Sequence, residues 1–457
     1  MVITEIQIII LKKGIEAMDI TLIFPAVGRK KGSSYIKSWQ MEPLSIAILA
    51  GLTPKHINLH FFDDRIESIP YDRPTDAVAL SVETYSAKRA YEIAKEYRQR
   101  GVLVIMGGYH PTLVPGEVSQ YADAVVIGEA EDCWLKVLDD LQKKKLQKEY
   151  RSSGNFSLDK ATPDRSIFKG KHYFDLTLVE TGRGCHFQCN FCSVTAFHRA
   201  TYRRRPVGEI VSEIKQTGKK RIFFVDDNII SDFDSAQELF EALIPLEISW
   251  ISQCSIDVTK NEQLLSLMKQ SGCSGLLVGF ESIHKENLTQ MGKFHNAQNI
   301  DYARVISKFR EKGIVIYGTF VFGYDHDNEE TFRKSVLLAK KSKLFIVAFN
   351  HLVPFPGTPL YKRLEAEGNL LYQKWWLSPE YFFGDVAFKP AQLSAVQLSD
   401  LCISSRRDFY GMLSILSRGF DFKANCLNLS RAIAFLLTNL MLRKEIDQRK
   451  GLPLGNG

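Results

Sequence analysis

The 457-residue sequence has no apolar run long enough to cross a bilayer. Its two most apolar stretches, Ile6–Leu11 and Ala432–Leu442, fall short of the roughly 20 residues a spanning helix needs. In the first, lysines follow the apolar run instead of preceding it, so it does not read as a secretory signal. Residues 1–17 read as a disordered lead or a misplaced start, because Met18 directly precedes the first good strand pattern. Cysteine is scarce, with 8 residues in the chain, which excludes a disulfide scaffold. The expectation is a cytoplasmic protein whose thiols stay reduced. Internal repeats and low-complexity tracts are absent. No Gly-x-Gly-x-x-Gly opens a helix and no P-loop occurs, which argues against dinucleotide and triphosphate binding. Lys and Arg number 59 against 52 Asp and Glu, a net charge of +7. That excess is too mild to demand nucleic acid, and no terminal RNA-binding module is apparent.

What is present is ordinary globular composition, 45% hydrophobic and 24% charged, organised as two successive α/β patterns. In residues 18–150 the strand patterns are Ile20–Phe24, Ile57–Phe62, Ala77–Ser81, Val102–Met106 and Ala124–Ile127. Helical patterns such as Pro43–Ala50 and Ala87–Arg100 lie between them, and Leu138–Tyr150 reads as a basic helix end. Short buried strands alternating with helices predict a doubly wound parallel sheet, with any ligand at the carboxyl ends of its strands. Residues 151–170, rich in Ser, Gly, Asp and Pro, read as a linker.

A second alternation occupies residues 171–370. Its strands are Phe174–Glu180, Arg221–Asp226, Ile248–Cys254, Gly275–Glu281, Val315–Phe322 and Ile346–Val353, with helices such as Val207–Thr217, Gln263–Gln270 and Ala303–Glu311. Six strand–helix units are too few for an eight-stranded barrel and predict a partial (β/α)6 barrel. Residues 371–457 form a mostly helical, basic tail. Its aromatic stretch, Trp375, Trp376, Tyr381, Phe382 and Phe383, reads either as a substrate-pocket lining or as a tail packed on the barrel.

The first barrel strand leads into Gly182-Arg-Gly-Cys185-His-Phe-Gln-Cys189-Asn-Phe-Cys192. Three of the eight cysteines thus crowd into eight residues, and no fourth follows at matched spacing. A loop of this kind points three thiolates at one iron cluster, leaving one iron without a protein ligand. Structural zinc wants four ligands, and His186, between two of the cysteines, is badly placed to be the fourth. Cys133, Cys273, Cys402 and Cys426 read as packed thiols. Cys254, at a strand end, reads the same way with a lesser chance of a substrate-side role.

Cys-x3-Cys-x2-Cys with Phe191 before the third cysteine resembles the radical S-adenosylmethionine superfamily, over Phe174 to about Tyr361. The resemblance implies a 4Fe-4S cluster on Cys185, Cys189 and Cys192, with S-adenosylmethionine on the open iron and cleaved to a 5′-deoxyadenosyl radical. It also implies S-adenosylmethionine contacts at Phe191 and at the ends of successive strands. These are Asp226, Asp227 and Asn228, standing where a Gly-Gly-Glu is usual, then Gln253 and Ser255, then Glu281. Gly279, Gly318 and Gly323 are expected either to let the cofactor approach closely or, being near strand ends, to serve only as turns.

The first region has late glycines, in Met106-Gly107-Gly108-Tyr-His110-Pro111-Thr112 and Ile127-Gly128-Glu129. With Ser81-Val-Glu-Thr84 they make a small-residue rim that resembles the domain of cobalamin-dependent radical S-adenosylmethionine enzymes, over residues 18–142. The implied cobalamin contacts are Ser81, Thr84, Gly107, Gly108, His110, Pro111, Gly128 and Glu129. The Asp-x-His-x-x-Gly that supplies a cobalt ligand elsewhere is missing, and the nearest loop reads Phe62-Asp63-Asp64-Arg65-Ile66-Glu67. Cobalamin without a protein imidazole on cobalt is therefore expected, and His110 is a rim contact, not an assigned ligand.

The group so resembled includes methyltransferases, anaerobic tetrapyrrole cyclases and hopanoid methylases. The resemblance implies methylation of an unactivated carbon in a small or lipid-like substrate. The alternative is oxidative cyclisation or rearrangement with the same cofactors. A flavodoxin or ferredoxin is the implied reductant. Phe409–Leu442 mixes apolar helical patterning with Arg406, Arg407, Arg418, Arg431, Arg443 and Lys444. Packing on the domains is its ordinary reading, and contact with an anionic membrane surface is the other.

Overall fold

The computed structural model describes residues 18–30, 40–154, 156–298 and 301–456; the lead expected at residues 1–17 lies outside them. The described residues divide into two compact units, residues 18–28 with 43–172, and residues 29–30 and 40–42 with 173–456.

The first unit is a six-stranded parallel sheet. Its strands are β1 (Asp19–Phe24), β2 (Asn58–Asp63), β3 (Ala77–Ser81), β4 (Leu103–Gly107), β5 (Ala124–Ile127) and β6 (Glu149–Arg151), in the order β2-β1-β3-β4-β5-β6. Ala77, Val78, Ala79 and Leu80 are all buried, because helices cover both faces of such a sheet and period-two polarity disappears. Among those helices are α1 (Leu44–Leu52), α2 (Ala87–Gln99) and α3 (Trp134–Gln142). α2 buries Ala87, Ala90, Tyr91, Ala94 and Tyr97, the stripe that helical spacing produces.

Two details differ from the patterning. The basic helix expected to run to Tyr150 ends at Gln142, and Glu149–Arg151 adds a sixth strand beside β5. Lys144 at φ 55° turns the chain, and of the three strand residues only Tyr150 is buried. Residues 156–170 fold onto α1: the Asp164 N–H donates to the Ala47 carbonyl at 2.8 Å, and Phe168 meets Phe61 edge-on at 5.6 Å.

The second unit holds the parallel sheet β7 (Thr177–Val179), β10 (Arg221–Phe224), β11 (Ser249–Gln253), β12 (Cys273–Glu281), β13 (Val315–Phe322) and β14 (Ile346–His351), in sequential order from β7 to β14. A short hairpin, β8 (Gly182–Gly184) and β9 (Tyr202–Arg204), flanks the cysteine loop. Each strand is followed by a helix: α4 (Val207–Thr217), α5 (Phe233–Leu243), α6 (Glu262–Gln270), α7 (Lys285–Gln290) and α8 (Tyr302–Glu311), α9 (Glu329–Lys341) and α10 (Pro359–Ala366). Asp232, Asn261, Asn328 and Thr358 cap four of these helices with their side chains. The result is the expected six-unit partial barrel.

The tail supplies α11 (Ala395–Phe409), α12 (Met412–Gly419) and α13 (Leu429–Arg449). Tyr410 closes the open edge of β14, its hydroxyl accepting from the Val347 N–H at 3.1 Å and donating to the Val347 carbonyl at 2.9 Å. Trp375, Trp376 and Tyr381 are buried together, and the Trp375 indole donates to the Pro354 carbonyl at 2.8 Å. Of the two readings of this stretch, packing is the one these three side chains follow; Phe382 remains exposed.

Candidate functional site

The carboxyl ends of the barrel strands gather most of the expected residues. Cys185, Cys189 and Cys192 lie on the loop between β8 and the short helix Ser193–His198. Burial pushes the Cys185 thiol up and Cys189 up to about 12; Cys192 raises both further and Cys185 also raises Cys189, while Lys293 pulls both down. The three sulfurs are therefore electrostatic neighbours beside one cation. Among the described residues no three His, Cys, Asp or Glu side chains close on a single ion. Three soft ligands spread along a loop suit a cluster, which takes one thiolate per iron.

Asn190, which the sequence reading missed, anchors this loop. Its N–H donates to the Met291 carbonyl at 2.9 Å and its carboxamide to the Gln290 carbonyl at 2.6 Å. Its side-chain oxygen accepts from the Tyr324 hydroxyl at 2.8 Å, and its carbonyl from the Leu360 N–H at 3.0 Å. Phe187 stacks on His295 at 3.8 Å. The loop is thus pinned to the segments after β12, β13 and β14. Phe191, half-buried, packs against the barrel core.

The remaining expected contacts have unequal standing. Asp226 is buried and turned inward, accepting from the Thr181 N–H at 3.1 Å and from the Thr181 hydroxyl. Burial raises it to about 7. It holds the chain just before the cysteine loop, so any influence on a ligand passes through Thr181. Burial also raises Asp227, to about 6, while the Gly184 N–H bonded to it pulls the other way. Asn228 accepts from the Ser255 N–H at 3.0 Å and so joins the ends of β10 and β11, but its buried Nδ2 has no partner among the described residues. Gln253 and Ser255 are half-buried at the end of β11.

Glu281 sits at φ 61° where the β12–β13 register shifts, a bulge that re-aims a side chain. Its carboxylate takes the Lys293 ammonium at 2.6 Å and the Thr319 hydroxyl at 3.3 Å. Lys293, the second residue missed, also donates to the Gly279 carbonyl at 2.9 Å. Twelve positions separate the pair, so no local motif announces it.

The glycines expected to admit a cofactor are occupied by protein instead. A Cβ at Gly279 would fall 2.2 Å from the Glu281 carboxylate, one at Gly318 2.8 Å from Leu344, and one at Gly323 2.7 Å from Phe388. Cys254 is likewise a core thiol, its burial complete enough to push it well up.

In the first unit the rim follows β3, β4 and β5 as expected. Ser81, Gly107, Gly108 and Gly128 are half-buried, whereas Thr84, Pro111 and Glu129 are buried. The expectation for His110 needs correcting. It is fully buried, Nε2 lying 3.1 Å from the Tyr91 hydroxyl and 3.2 Å from Glu117, and Nδ1 3.4 Å from the Thr84 hydroxyl. The turn folds this imidazole under the rim, where it supports the backbone. Gly108 at φ 114° brings the chain so close to Val82 that a Cβ would sit 2.8 Å from its carbonyl. The loop after β2 carries no histidine and spends its carboxylates internally. Asp63 pairs with Arg65, and buried Asp64 takes the Arg89 guanidinium through two bonds of 2.8 and 2.9 Å.

These donor sets fit an iron–sulfur cluster, S-adenosylmethionine and cobalamin: three thiols without a fourth, an orphaned buried donor, and a backbone rim without an offered imidazole. Comparison with known proteins agrees. Residues 40–137 match the B12 binding domain and residues 179–339 the radical SAM superfamily. The chain is 28% identical over 389 residues to the bacteriochlorophyllide d C-12(1)-methyltransferase of Chlorobaculum tepidum, covering 82% of this chain and 84% of that protein. It is 26% identical over 416 residues to the bacteriochlorophyllide d C-8(2)-methyltransferase of the same organism, covering 86% and 90%. It shares the fold of the cobalamin-dependent S-adenosylmethionine radical enzyme OxsB, solved with aqua-cobalamin bound, at a TM-score of 0.67 and 16% identity. That match covers 94% of this chain and 72% of that one. Fold and site define an enzyme built for radical chemistry on S-adenosylmethionine. The chain joins a B12 binding domain to a radical SAM domain, and the cofactors of the two are cobalamin, a 4Fe-4S cluster and S-adenosylmethionine.

Proposed function

We propose that this enzyme transfers a methyl group to an unactivated carbon of a small or hydrophobic metabolite in the cytoplasm. The observation that carries the reading is the three-thiol loop without a fourth protein ligand, in a chain that also has a B12 binding domain. Methyltransferases among its relatives support it. When bound, the cofactors supply a hydrogen-abstracting radical and a methyl donor.

The chain's own residues bind, orient and exclude. Cys185, Cys189 and Cys192 would hold the cluster, with Asn190 setting the loop. Asn228, Gln253, Ser255 and the Glu281–Lys293 pair would meet S-adenosylmethionine. Asp227 would meet it beside Cys185, Phe191 would wall the pocket from the core side, and Asp226 would act through Thr181. In the first unit the backbone at Ser81, Gly107, Gly108 and Gly128, with Thr84, Pro111 and Glu129 beneath it, would seat cobalamin. A flavodoxin or ferredoxin would supply electrons, and the tail would bring the enzyme to a membrane surface.

The test is anaerobic reconstitution with iron, sulfide and hydroxocobalamin, followed by methyl-labelled S-adenosylmethionine and source-cell extract. Label is expected in product, with 5′-deoxyadenosine and S-adenosylhomocysteine alongside. Accumulation of 5′-deoxyadenosine with no label in any product would replace methylation by cyclisation or oxidation.

A further inference from the structure

Among the described residues 21 large hydrophobic side chains are exposed, and 11 of them fall between Met412 and Leu440. The concentration has a structural origin. The inner faces of α12 and α13 are already committed to the second unit. Arg418 is buried and donates to the carbonyls of Leu344 at 2.9 Å and Phe345 at 3.2 Å, and to Asn439 at 2.8 Å. Phe435 meets Phe345 edge-on at 5.2 Å. On α13 the buried Phe435, Asn439 and Ile446 share that side. Leu429, Ile433, Leu437 and Leu440, spaced three and four apart, fall on the other. Leu413 is 85% exposed, and Phe422 in the connecting loop is 74% exposed. An apolar face of this extent on a folded protein marks an interaction surface.

Its charges say what it meets. From Met412 to Lys444 there is one acidic residue, Asp421, which is buried and held by Arg310 at 2.7 and 3.0 Å. The acids at the border are paired as well: Glu445 with Arg449, Asp447 with Arg407, Asp408 with Lys340. The exposed charges within the segment, Lys423, Arg443 and Lys444, are all positive. A twofold contact with a second copy would set this patch against itself and bring like charges together. Leucine and phenylalanine side chains interspersed with cations unpaired among the described residues, and with acids only in ion pairs at the border, match the boundary between acyl chains and anionic headgroups.

We propose that the outer face of α12, α13 and the loop between them docks the enzyme on an anionic bilayer surface. This deepens the hydrophobic-substrate reading above, by giving such a substrate a place to be met. The test is flotation of the full chain with phosphatidylcholine vesicles, with and without phosphatidylglycerol. It needs neither cofactor nor turnover, so its failure leaves methyl transfer standing. The wild type should float with the anionic vesicles about ten-fold better than with neutral ones, and lose that advantage at high salt. The double variant Leu413→Glu/Leu437→Glu should stay at the bottom, and Lys423→Glu/Arg443→Glu/Lys444→Glu should lose the anionic preference. Matching melting curves would show that these exposed changes leave the fold intact. A wild type that does not float overturns the proposal. So does a charge-reversed variant that floats as the wild type does, or a dimer in sedimentation that the leucine variant splits, which would assign the face to self-association.

Discussion

Both units end their parallel sheets in an edge of loops, yet they treat polar side chains there in opposite ways. In the barrel the edge keeps its chemistry available. Three thiols share one loop, Asn228 has a buried donor without a partner among the described residues, and Glu281 is held at a positive φ. In the first unit the edge consumes its polar groups: His110, Glu117, Tyr91 and Asp64 are tied into one another or into Arg89. The lesson concerns the ligands. Iron and a sulfonium substrate need particular atoms at particular points, so side chains must be offered. A broad, flat cofactor is seated by shape and backbone, so side chains serve beneath the surface.

The sharpest way to break this contrast is Cys189→Ala. It should lower S-adenosylmethionine cleavage by about a thousand-fold or more, the scale on which removal of an essential group acts. Iron and sulfide analysis after reconstitution should show the cluster lost while cobalamin is still bound. If cleavage survives, the barrel edge does not work through its side chains.

Next come two buried ion pairs, one chosen from each unit. Lys293→Met leaves Glu281 buried without its cation, and Arg89→Met does the same to Asp64. Each should cost about 3–5 kcal/mol in urea unfolding of its own unit. Adding Glu281→Gln to the first variant should recover part of the loss. Arg89→Met should also weaken cobalamin binding by loosening the loops, with the cluster untouched.

His110→Ala tests the correction made above. It should cost about 1–3 kcal/mol, the scale for leaving buried partners unsatisfied. The paramagnetic resonance spectrum of bound cob(II)alamin should show no imidazole nitrogen splitting in either wild type or variant. Splitting present in the wild type and lost in the variant would make His110 a ligand.

The last comparison is a pH slope. Burial raises Asp226 from 3.8 to about 7, so across that interval the folded state binds more protons than the unfolded state. Stability of the second unit should therefore fall as pH rises from about 4 to about 7. Asp226→Asn should flatten that part of the profile in thermal melts between pH 5 and pH 8, and an unchanged slope would show that another group sets it.

Periodicity alone located both sheets to within a few residues at most strand ends, because strands buried on both faces appear as short apolar runs wherever they sit. The cysteine loop was equally legible, since its three thiols lie within one short segment. β6 was not, because a three-residue edge strand with one buried side chain carries no pattern of its own. Asn190 and Lys293 escaped for a different reason: each works through partners far along the chain, which only packing brings near.

Element order, the two-unit plan and the gathering of three thiols on one loop were thus determined by local spacing, where neighbours in sequence remain neighbours in space. Which glycines pack against protein, whether His110 faces outward, and which face of α13 is left bare were decided only by tertiary structure. Those answers depend on which distant side chain takes each place first, and close packing lets only one do so.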